Sequence, residues 1–397
     1  MKHNKLERRN FIKIGALGSL AALAAKATAA ENAPDPTKIV YRTLGRTRLK
    51  VPVVSLGVMR ADTPGIVSRS LEMGVLHLDT AHGYQDGRNE EMLGQLLKNY
   101  PRDKYIISTK IYMPRDKNTR QFTTEATNEK FHELLDISLK RLQLDYVDIL
   151  YLHVCDNRDH VLHPDMLESM RLAKQQGKTQ FTGVSTHHSE PEVIDAAIES
   201  KFYDIVLSAY NFKQKHHEQV RDALKRAHDA GLGTIVMKTM AGAYYDKERQ
   251  KPINCTAALK WAIRHDFVHT SIPGASTFEE AEKNCAVMYN PQITDTDIKE
   301  LEEGLQYSSL YCTGCGECTC QCPFGLPFND IMRSYMYAYG YRDLHLAKKT
   351  IESLSLNADP CSNCTDCKVT NCPNGWDIRA KIHDILRIKT IPDEFIV

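Results

Sequence analysis

The sequence predicts an α/β protein in which a (β/α)8 barrel is followed by a small, mainly helical domain. Eight short runs rich in β-branched and aromatic residues recur between residues 53 and 273, and amphipathic segments separate them. The runs are almost continuously apolar, as expected for parallel strands that are covered on both faces. Eight of the twelve cysteines lie beyond these runs, in two regularly spaced groups. The chain therefore changes after the last strand from alternating strands and helices to segments rich in cysteine.

The predicted strands lie at residues 53–57, 75–79, 105–110, 147–152, 179–185, 204–210, 233–238 and 268–273. Apolar residues at three- and four-residue steps from Phe131 to Leu142 predict a helix with one buried face. Another helix around residues 222–227 is expected to end at Gly231, as a helix C-terminus does. Eight strand–helix repeats over about 240 residues match the size of one barrel. A doubly wound sheet is the alternative, but no G-x-G-x-x-G follows the first strand.

The predicted barrel domain spans residues 38–305, and a second domain spans residues 306–397. Residues 38–50 are expected to form a hairpin that closes the barrel floor. The run T-D-T-D at residues 294–297 predicts a capping box and a helix to about residue 305. Two further helices are expected at residues 329–339 and 344–354, with a break at Gly340.

The overall composition is that of a soluble globular protein, with 42% hydrophobic and 25% charged residues. At 397 residues the chain is too long for one small core. The formal net charge is +1, which lacks the basic excess of a nucleic-acid-binding protein. We therefore expect no nucleic-acid partner.

Residues 1–29 are predicted to be a signal peptide. R-R-N-F-I-K at residues 8–13 precedes an uncharged stretch at residues 14–25 and the small residues A-T-A at 27–29. This order combines a basic region, a short apolar region and a cleavage site, and it is too short to span a membrane. It resembles a twin-arginine signal, although Glu7 replaces the usual Ser or Thr. An ordinary secretory signal or an amphipathic N-terminus is the alternative. We expect a periplasmic protein that meets the membrane only during export.

Four polar residues follow successive strands, where a barrel forms its active site. Asp79 ends the second strand, Lys110 ends the third and His153 follows the fourth, while Tyr84 lies five residues beyond Asp79. A tyrosine titrates near ~10, and a neighbouring ammonium lowers its pKa by favouring the phenolate. A general acid becomes more effective as its pKa approaches the working pH. The pattern therefore indicates proton-transfer chemistry, with Asp79 keeping the lysine charged.

These motifs resemble the aldo-keto reductase superfamily. The resemblance rests on D-T-A-H-G-Y at residues 79–84, S-T-K at 108–110 and L-K-R-L-Q-L-D-Y-V-D at 139–148, and it covers about residues 41–284. In that family a nicotinamide cofactor delivers hydride to a carbonyl and a tyrosine donates the proton. The resemblance implies a small-molecule carbonyl or alcohol substrate, with Tyr84 as the general acid and Lys110 lowering its pKa. It further implies that Asp79 pairs with Lys110 and that His153 orients the carbonyl.

The cofactor pocket departs from the family pattern. The family's run I-P-K-S-x-T-x-x-R-x-x-E-N is I-P-G-A-S-T-F-E-E-A-E-K-N at residues 272–284 here. Gly274 replaces the phosphate-binding lysine, as in the iron–sulfur branch of the family, and Glu280 replaces the arginine. A carboxylate repels phosphate, so we expect NAD or NADP without a preference for NADP. The nucleotide contacts that the resemblance implies are Ser185, Thr186, Met237, Lys238, Gly274, Ala275, Ser276 and Asn284.

The cysteine runs indicate iron–sulfur clusters. C-x2-C-x2-C-x3-C-P begins at Cys312, which is the spacing of bacterial ferredoxins, and C-x2-C-x2-C-x4-C-P begins at Cys361. In two-cluster ferredoxins the fourth cysteine of each run binds the other cluster. This resemblance implies two [4Fe–4S] clusters and two ligand sets, which are Cys312, Cys315, Cys318 and Cys372, and Cys361, Cys364, Cys367 and Cys322. Zinc and disulfides are the alternatives, but zinc favours separated cysteine pairs. Cys320 is expected to be a spare.

Two functional hypotheses follow. The first is an exported oxidoreductase that interconverts a carbonyl and an alcohol, with electrons passing through nicotinamide, the clusters or both, and with a redox partner protein. The second is an electron-transfer or structural iron–sulfur protein that uses the barrel only as a scaffold. The paired histidines at residues 187–188 and 216–217 are expected to be solvated rather than to bind another metal.

Overall fold

The computed structural model describes residues 36–397 apart from residues 117–118, 308–309, 313, 319–321, 323, 355, 357–358, 363, 366, 368, 370–371, 373–374 and 397. The predicted signal peptide and Cys320 lie outside the described residues. Residues up to Ile39 form a separate unit, in which the 3-10 turn Pro36–Lys38 is described. Val40–Val397 form one compact unit. None of the described helices is both long and apolar enough to cross a membrane.

A β-hairpin precedes the barrel. Strands β1 (Tyr41–Thr43) and β2 (Lys50–Pro52) pair antiparallel. Leu44 and Val51 are fully buried and join a core cluster with the inward-facing residues of the barrel strands. Gly45 has a φ of +50°, and a Cβ there would lie 2.4 Å from the backbone nitrogen of Gly233. This close approach requires glycine, and the hairpin forms as expected.

Eight parallel strands close into a barrel. They are β3 (Leu56–Gly57), β4 (His77–Asp79), β5 (Ile106–Ile111), β6 (Val147–Leu152), β7 (Thr179–Thr186), β8 (Ile205–Ala209), β9 (Gly233–Met237) and β10 (Thr270–Ser271). Neighbours in the sheet follow the chain order. The backbone N–H of Ser55 donates to the carbonyl of Ser271 at 2.7 Å, and that of Gly57 donates to Pro273 at 3.1 Å, which closes the ring. The predicted fold class is confirmed, although the first and last strands are shorter than expected.

Helices cover the outside of the barrel. They are α1 (Pro64–Glu72), α2 (Arg88–Leu97), α3 (Asn128–Leu142), α4 (Arg158–Val161), α5 (Pro164–Gln175), α6 (Glu190–Ser200), α7 (His217–Asp229), α8 (Cys255–Ile263) and α9 (Phe278–Ala286). Helix α3 buries Phe131, Leu135, Leu139 and Leu142, which is the predicted face. Its first turn is capped by the Thr127 side chain, which accepts the N–H of residue 130. Helix α7 ends two residues before Gly231, which has a φ of +84°.

Among the residues that the structure describes, four more helices follow the barrel strands. They are α10 (Asp295–Gly304), α11 (Phe328–Met336), α12 (Leu344–Ser353) and α13 (Ile378–Leu386). The predicted capping box between Thr294 and Asp297 forms at α10. The predicted break at Gly340 is displaced, because a π-helical turn (Tyr337–Tyr341) extends α11 through that residue. The chain turns at Arg342 instead, which has a left-handed φ of 56°.

The segment that carries the cysteine runs packs on the end of the barrel where the strands terminate. Phe212 and Ala257 of the barrel share one hydrophobic core with Ile331 of α11. An ion pair of 3.1 Å joins Arg120 of the barrel to Asp330 of α11. The two parts of the chain therefore share a continuous interior rather than a hinged contact.

Candidate active site and cluster segment

A buried ion pair lies at the ends of two neighbouring strands. Asp79 ends β4 and Lys110 lies near the end of β5, and each side chain is only 1% exposed. The Lys110 ammonium donates to the Asp79 carboxylate and, at 2.7 Å, to the carbonyl of Thr80. The Ser108 hydroxyl donates to the other Asp79 oxygen at 2.7 Å. Every polar atom of the pair is engaged, which holds the lysine in one position.

Tyr84 and His153 complete the group. Tyr84 begins a 3-10 turn after β4, and its Oη lies 3.4 Å from the Lys110 Nζ. His153 follows β6, and its ring meets the Tyr84 ring edge-on with centroids 5.9 Å apart. The structure thus brings together all four residues that the sequence predicted for catalysis.

The proton affinity of Tyr84 differs from the expectation. Burial raises the pKa of Tyr84 above its ordinary value, and the lowering effect of Lys110 does not overcome burial. Lys110 lowers the pKa of Tyr84 as predicted, but burial outweighs this effect and the net shift is upward. Burial alone would lower the pKa of Lys110, but Asp79 and Tyr84 raise it, so the lysine stays charged. Tyr84 keeps its proton at neutral pH, as a proton donor must.

His153 is neutral. Burial holds the pKa of His153 well below its usual value, and the cations Lys110, Arg115 and Arg333 lower it further. A neutral imidazole offers one N–H donor and one acceptor nitrogen. His153 can therefore donate a hydrogen bond to a carbonyl oxygen without carrying charge.

Tyr84, His153 and Asp79 line a cavity of about 1060 Å³ that opens at the end of the barrel. Part of its wall comes from the cysteine-bearing segment, through Arg333 of α11 and two tyrosines of the following π-helical turn, Tyr337 and Tyr341. The sequence analysis did not identify these three residues. The tyrosine-rich run at residues 335–341 was the available signal, but a local pattern does not show which cavity a helix covers.

The predicted nicotinamide contacts divide into two groups. Met237 and Lys238 line the cavity. Ser185 and Thr186 are buried behind its wall, and their hydroxyl groups already have protein partners. Ser185 accepts a backbone N–H at 3.0 Å, and Thr186 donates to a backbone carbonyl at 2.6 Å.

The predicted phosphate end is filled by the chain itself. Gly274 lines the cavity, and its carbonyl accepts the Asn284 side-chain amide at 3.2 Å, while Ala275 is fully buried. The backbone N–H and the hydroxyl of Ser276 both donate to Glu280, at 2.7 and 2.9 Å. The Glu280 carboxylate thus occupies donors that an anionic group would otherwise use.

The first cysteine set gathers around Cys312. Burial raises the pKa of Cys312 to about 12, and Cys318, Cys315 and Cys372 raise it as well. A thiolate raises the pKa of another thiol only when the two lie close together. Cys372, which follows the longer gap in its run, is therefore a neighbour of the first run. This is the grouping that the sequence analysis assigned to the first cluster.

The second set gathers around Cys361. Burial raises the pKa of Cys361 to about 11, with Asp359, Cys367, Cys322 and Cys364 contributing. These four cysteines line one cavity of about 350 Å³, together with apolar side chains. No three His, Cys, Asp or Glu side chains among the described residues converge on a single metal ion. Thiols that line a common apolar space fit the ligand chemistry of a cluster.

The paired histidines after β7 are buried, contrary to the expectation of solvated residues. His187 and His188 are 9% and 7% exposed. The Arg333 guanidinium lies 3.0 Å from the Nδ1 of His187 and 2.6 Å from the Nε2 of His188. Packing of α11 over the barrel end removes both rings from solvent. A small space beside them reaches Cys312, so the first cysteine set borders the wall of the cavity.

Comparison with known proteins identifies both parts of the chain. Residues 57–257 match the aldo/keto reductase family, and residues 311–377 match the 4Fe-4S dicluster domain. L-galactose dehydrogenase of Arabidopsis thaliana is 35% identical over 308 residues, which are 67% of this chain and 93% of that protein. L-glyceraldehyde 3-phosphate reductase of Escherichia coli O157:H7 is 30% identical over 328 residues, covering 68% and 93% of the two chains.

A solved structure shares the barrel. The aldo-keto reductase of Klebsiella pneumoniae in complex with NADPH aligns with a TM-score of 0.53 at 22% identity, covering 67% of this chain and 96% of its own. One conclusion follows from the family match, from the relatives and from the convergence of Tyr84, Lys110, Asp79 and His153. This chain is an oxidoreductase of the aldo/keto reductase family that carries a 4Fe-4S domain after the barrel in its sequence.

Proposed function

We propose that this oxidoreductase interconverts a carbonyl compound and an alcohol in the cavity at the barrel end. One observation carries the proposal, namely that Tyr84, Lys110, Asp79 and His153 converge at that cavity. Three of these residues come from different strand ends, so no short motif alone would bring them together. Their combined chemistry is that of proton donation to an oxygen atom.

Each residue has a distinct task in the reduction. Tyr84 donates its proton to the oxygen of the carbonyl as that oxygen gains negative charge. Lys110, 3.4 Å from the Tyr84 oxygen, stabilises the phenolate that remains. Asp79 holds Lys110 in place, and neutral His153 donates a hydrogen bond to the same carbonyl oxygen. Because burial raises the pKa of Tyr84, the phenol carries at neutral pH the proton that reduction requires.

The source of electrons is the second part of the proposal. A nicotinamide, when bound, supplies hydride, and the Klebsiella neighbour holds NADPH. The engagement of Ser276 by Glu280 supports our inference that this chain does not prefer NADP. Two [4Fe–4S] clusters, when bound, exchange single electrons. The cysteines of both sets would hold them, and the exposed Phe324 beside the second set supports docking of a redox partner protein there.

The test of the proton donor is the variant Tyr84→Phe in anaerobically purified protein. We expect carbonyl reduction to fall by about 10²–10⁴-fold, the contribution of a general acid, while iron content stays unchanged. The control is Tyr112→Phe, because Tyr112 is 48% exposed and also packs against His153, at 6.2 Å. Wild-type turnover in Tyr84→Phe would refute the assignment.

Mixing the anaerobic protein with NADH or NADPH tests the electron source. Bleaching of the cluster absorption on nucleotide addition would connect the two electron carriers. Oxidation of the nucleotide that depends on a carbonyl compound, without bleaching, would assign the reduction to nicotinamide alone. Failure to bind either nucleotide would favour the second hypothesis, an electron-transfer or structural iron–sulfur protein that uses the barrel only as a scaffold.

We propose also that the protein is exported folded to the periplasm by the twin-arginine route. The R-R-N-F-I-K run at residues 8–13 supports this inference, since folded export allows cluster assembly in the reducing cytoplasm. Replacing both arginines, Arg8 and Arg9, by lysine should retain the full-length protein in the cytoplasm. Unchanged export of that variant would indicate an ordinary secretory signal.

A further inference from the structure

Two cations lie on the cavity wall without a matching carboxylate. Arg333 comes from α11 of the cysteine-bearing segment, and Lys238 directly follows β9. Both line the same cavity as Tyr84 and His153. Neither belongs to the four residues of the proton-transfer group.

The positive charge of Arg333 is only partly compensated. Its guanidinium hydrogen-bonds to His187 and His188, whose acceptor nitrogens are neutral. Among the described residues its one ion-pair contact is with Asp330 at 3.8 Å, and Asp330 also pairs with Arg120 at 3.1 Å. The side chain is only 17% exposed, so water does little to screen its charge.

Lys238 is more isolated. Its side-chain amine forms no hydrogen bond or ion pair with any residue that the structure describes. Burial and the neighbouring Arg333 lower the pKa of Lys238 to about 7, so an anion bound beside it would favour the charged form. The carboxylate of Glu190, which acts on it from a distance, is bound to His216 at 2.9 Å and to Gln214 at 3.0 Å. Two partly buried cations that lie close together repel each other, and an anion that contacts both would stabilise them.

We propose that Arg333 and Lys238 bind the carboxylate of the substrate, so that this enzyme acts on an oxo acid. The inference rests on the proposed function of the Tyr84–His153 site. A guanidinium fork and an ammonium together match the two oxygens of a carboxylate. Because both cations line the cavity beside His153, a carboxylate on them places the remainder of the substrate toward Tyr84.

This assigns Lys238, which the sequence analysis expected to contact a nucleotide, to the substrate. The predicted phosphate end of the cavity lies at Gly274 and Ser276, where Glu280 already occupies the donors. The competing role is to balance the negative charge of the cluster cysteines, because the same two cations also border Cys312. These two assignments give different experimental results.

The test measures equilibrium binding to the anaerobic holoprotein by calorimetry, with 2-oxobutyrate and its uncharged amide as probes. We expect the wild type to bind the acid at least about tenfold more tightly than the amide, since charge-assisted hydrogen bonds are the stronger ones. Arg333→Gln and Lys238→Met should each weaken acid binding by about tenfold and leave amide binding unchanged. Lys225→Met, at an exposed pair, is the matched control. Lys238→Arg should restore most of the affinity for the acid.

Three results would overturn the proposal. Equal affinity for acid and amide would show that the cavity does not select an anion. Unchanged acid binding in both variants, with a shifted cluster midpoint potential in EPR titration, would assign the cations to the clusters. If NADH competes with the acid for the wild type but for neither variant, Arg333 and Lys238 would be assigned to the diphosphate of the nucleotide. If Arg333→Gln loses iron, the test of the anion site rests on Lys238→Met alone, because Lys238 lies outside the cysteine-bearing segment.

The experiment separates this proposal from the proposed function. Binding requires no turnover, so Tyr84→Phe should still bind 2-oxobutyrate more tightly than its uncharged amide. Retained turnover in Tyr84→Phe would contradict the proton-donor assignment and leave the anion site standing. Loss of selectivity for the acid in an enzyme that still depends on Tyr84 would contradict only the anion site.

Discussion

Replacing Lys110 by methionine should both destabilise the protein and abolish carbonyl reduction, and a second substitution should separate the two effects. The variant leaves the Asp79 carboxylate buried at 1% exposure without its cation. It also removes the donor to the carbonyl of Thr80, which now lies 2.7 Å from the ammonium. Breaking a buried pair in this way costs about 3–5 kcal/mol.

We expect the loss in free energy of unfolding to lie near the lower limit of this range. Asp79 keeps the hydrogen bond from the Ser108 hydroxyl at 2.7 Å, which partly stabilises the stranded charge. A loss of about 3 kcal/mol corresponds to a melting temperature lower by roughly 6–12 °C for a domain of this size. Adding Asp79→Asn removes the stranded charge, so the double variant should recover much of that loss.

The assay is differential scanning calorimetry of the anaerobic holoprotein, together with turnover measurements. Lys225→Met is the control, because the side chains of Lys225 and Asp229 are 58% and 54% exposed. An exposed pair of this kind contributes less than about 1 kcal/mol, so the control should melt close to the wild type. The double variant at Lys110 and Asp79 should stay inactive, since the phenolate of Tyr84 still lacks its cation.

Two results would contradict this prediction. The first is a Lys110→Met variant that melts as the wild type does, which would mean that the pair is hydrated in solution. The second is a double variant in which the losses from Asp79→Asn and Lys110→Met simply add. Additivity would show that the two side chains do not interact energetically, despite their contact.

Three further predictions follow from the site and the cysteine sets. Because burial raises the pKa of Tyr84 above its ordinary ~10, carbonyl reduction should stay level through neutral pH and fall only at more alkaline pH; a half-maximal rate near pH 7 would contradict this. Cys372→Ser should lower the iron content per chain, whereas Cys285→Ser, at a buried cysteine outside both runs, should not. Glu280→Gln should raise the affinity for NADPH relative to NADH, because it removes the carboxylate that occupies Ser276; an unchanged ratio would place the phosphate elsewhere.

The barrel and its proton-transfer group were predictable because both depend on order along the chain. Parallel strands that follow one another must end at the same rim, so residues after successive strands meet there. Asp79, Lys110 and His153 satisfied this condition from the sequence alone. Strand limits were less certain, because an apolar run shows which residues are buried and not where the hydrogen-bonded ladder begins. The first and last strands illustrate this, with two residues each.

The proton affinity of Tyr84 required the tertiary structure. The sequence indicated a lysine nearby, and the distance of 3.4 Å agrees with that. The sequence could not indicate how completely the surrounding loops and the C-terminal helices remove water from the phenol. Desolvation therefore reversed the predicted direction of the pKa.

The order of the strands, the spacing of the cysteines and the four residues that converge at the cavity could be read from the sequence. These features are local, since each depends on residues a few positions apart or on strand order. Only the tertiary structure decided that α11 lies over the barrel end and places Arg333 against His187, a residue 146 positions away. Contacts of that range depend on the complementary shape and charge of two surfaces that no local pattern encodes. The cavity wall, with its unpaired cations, exists only because those surfaces meet.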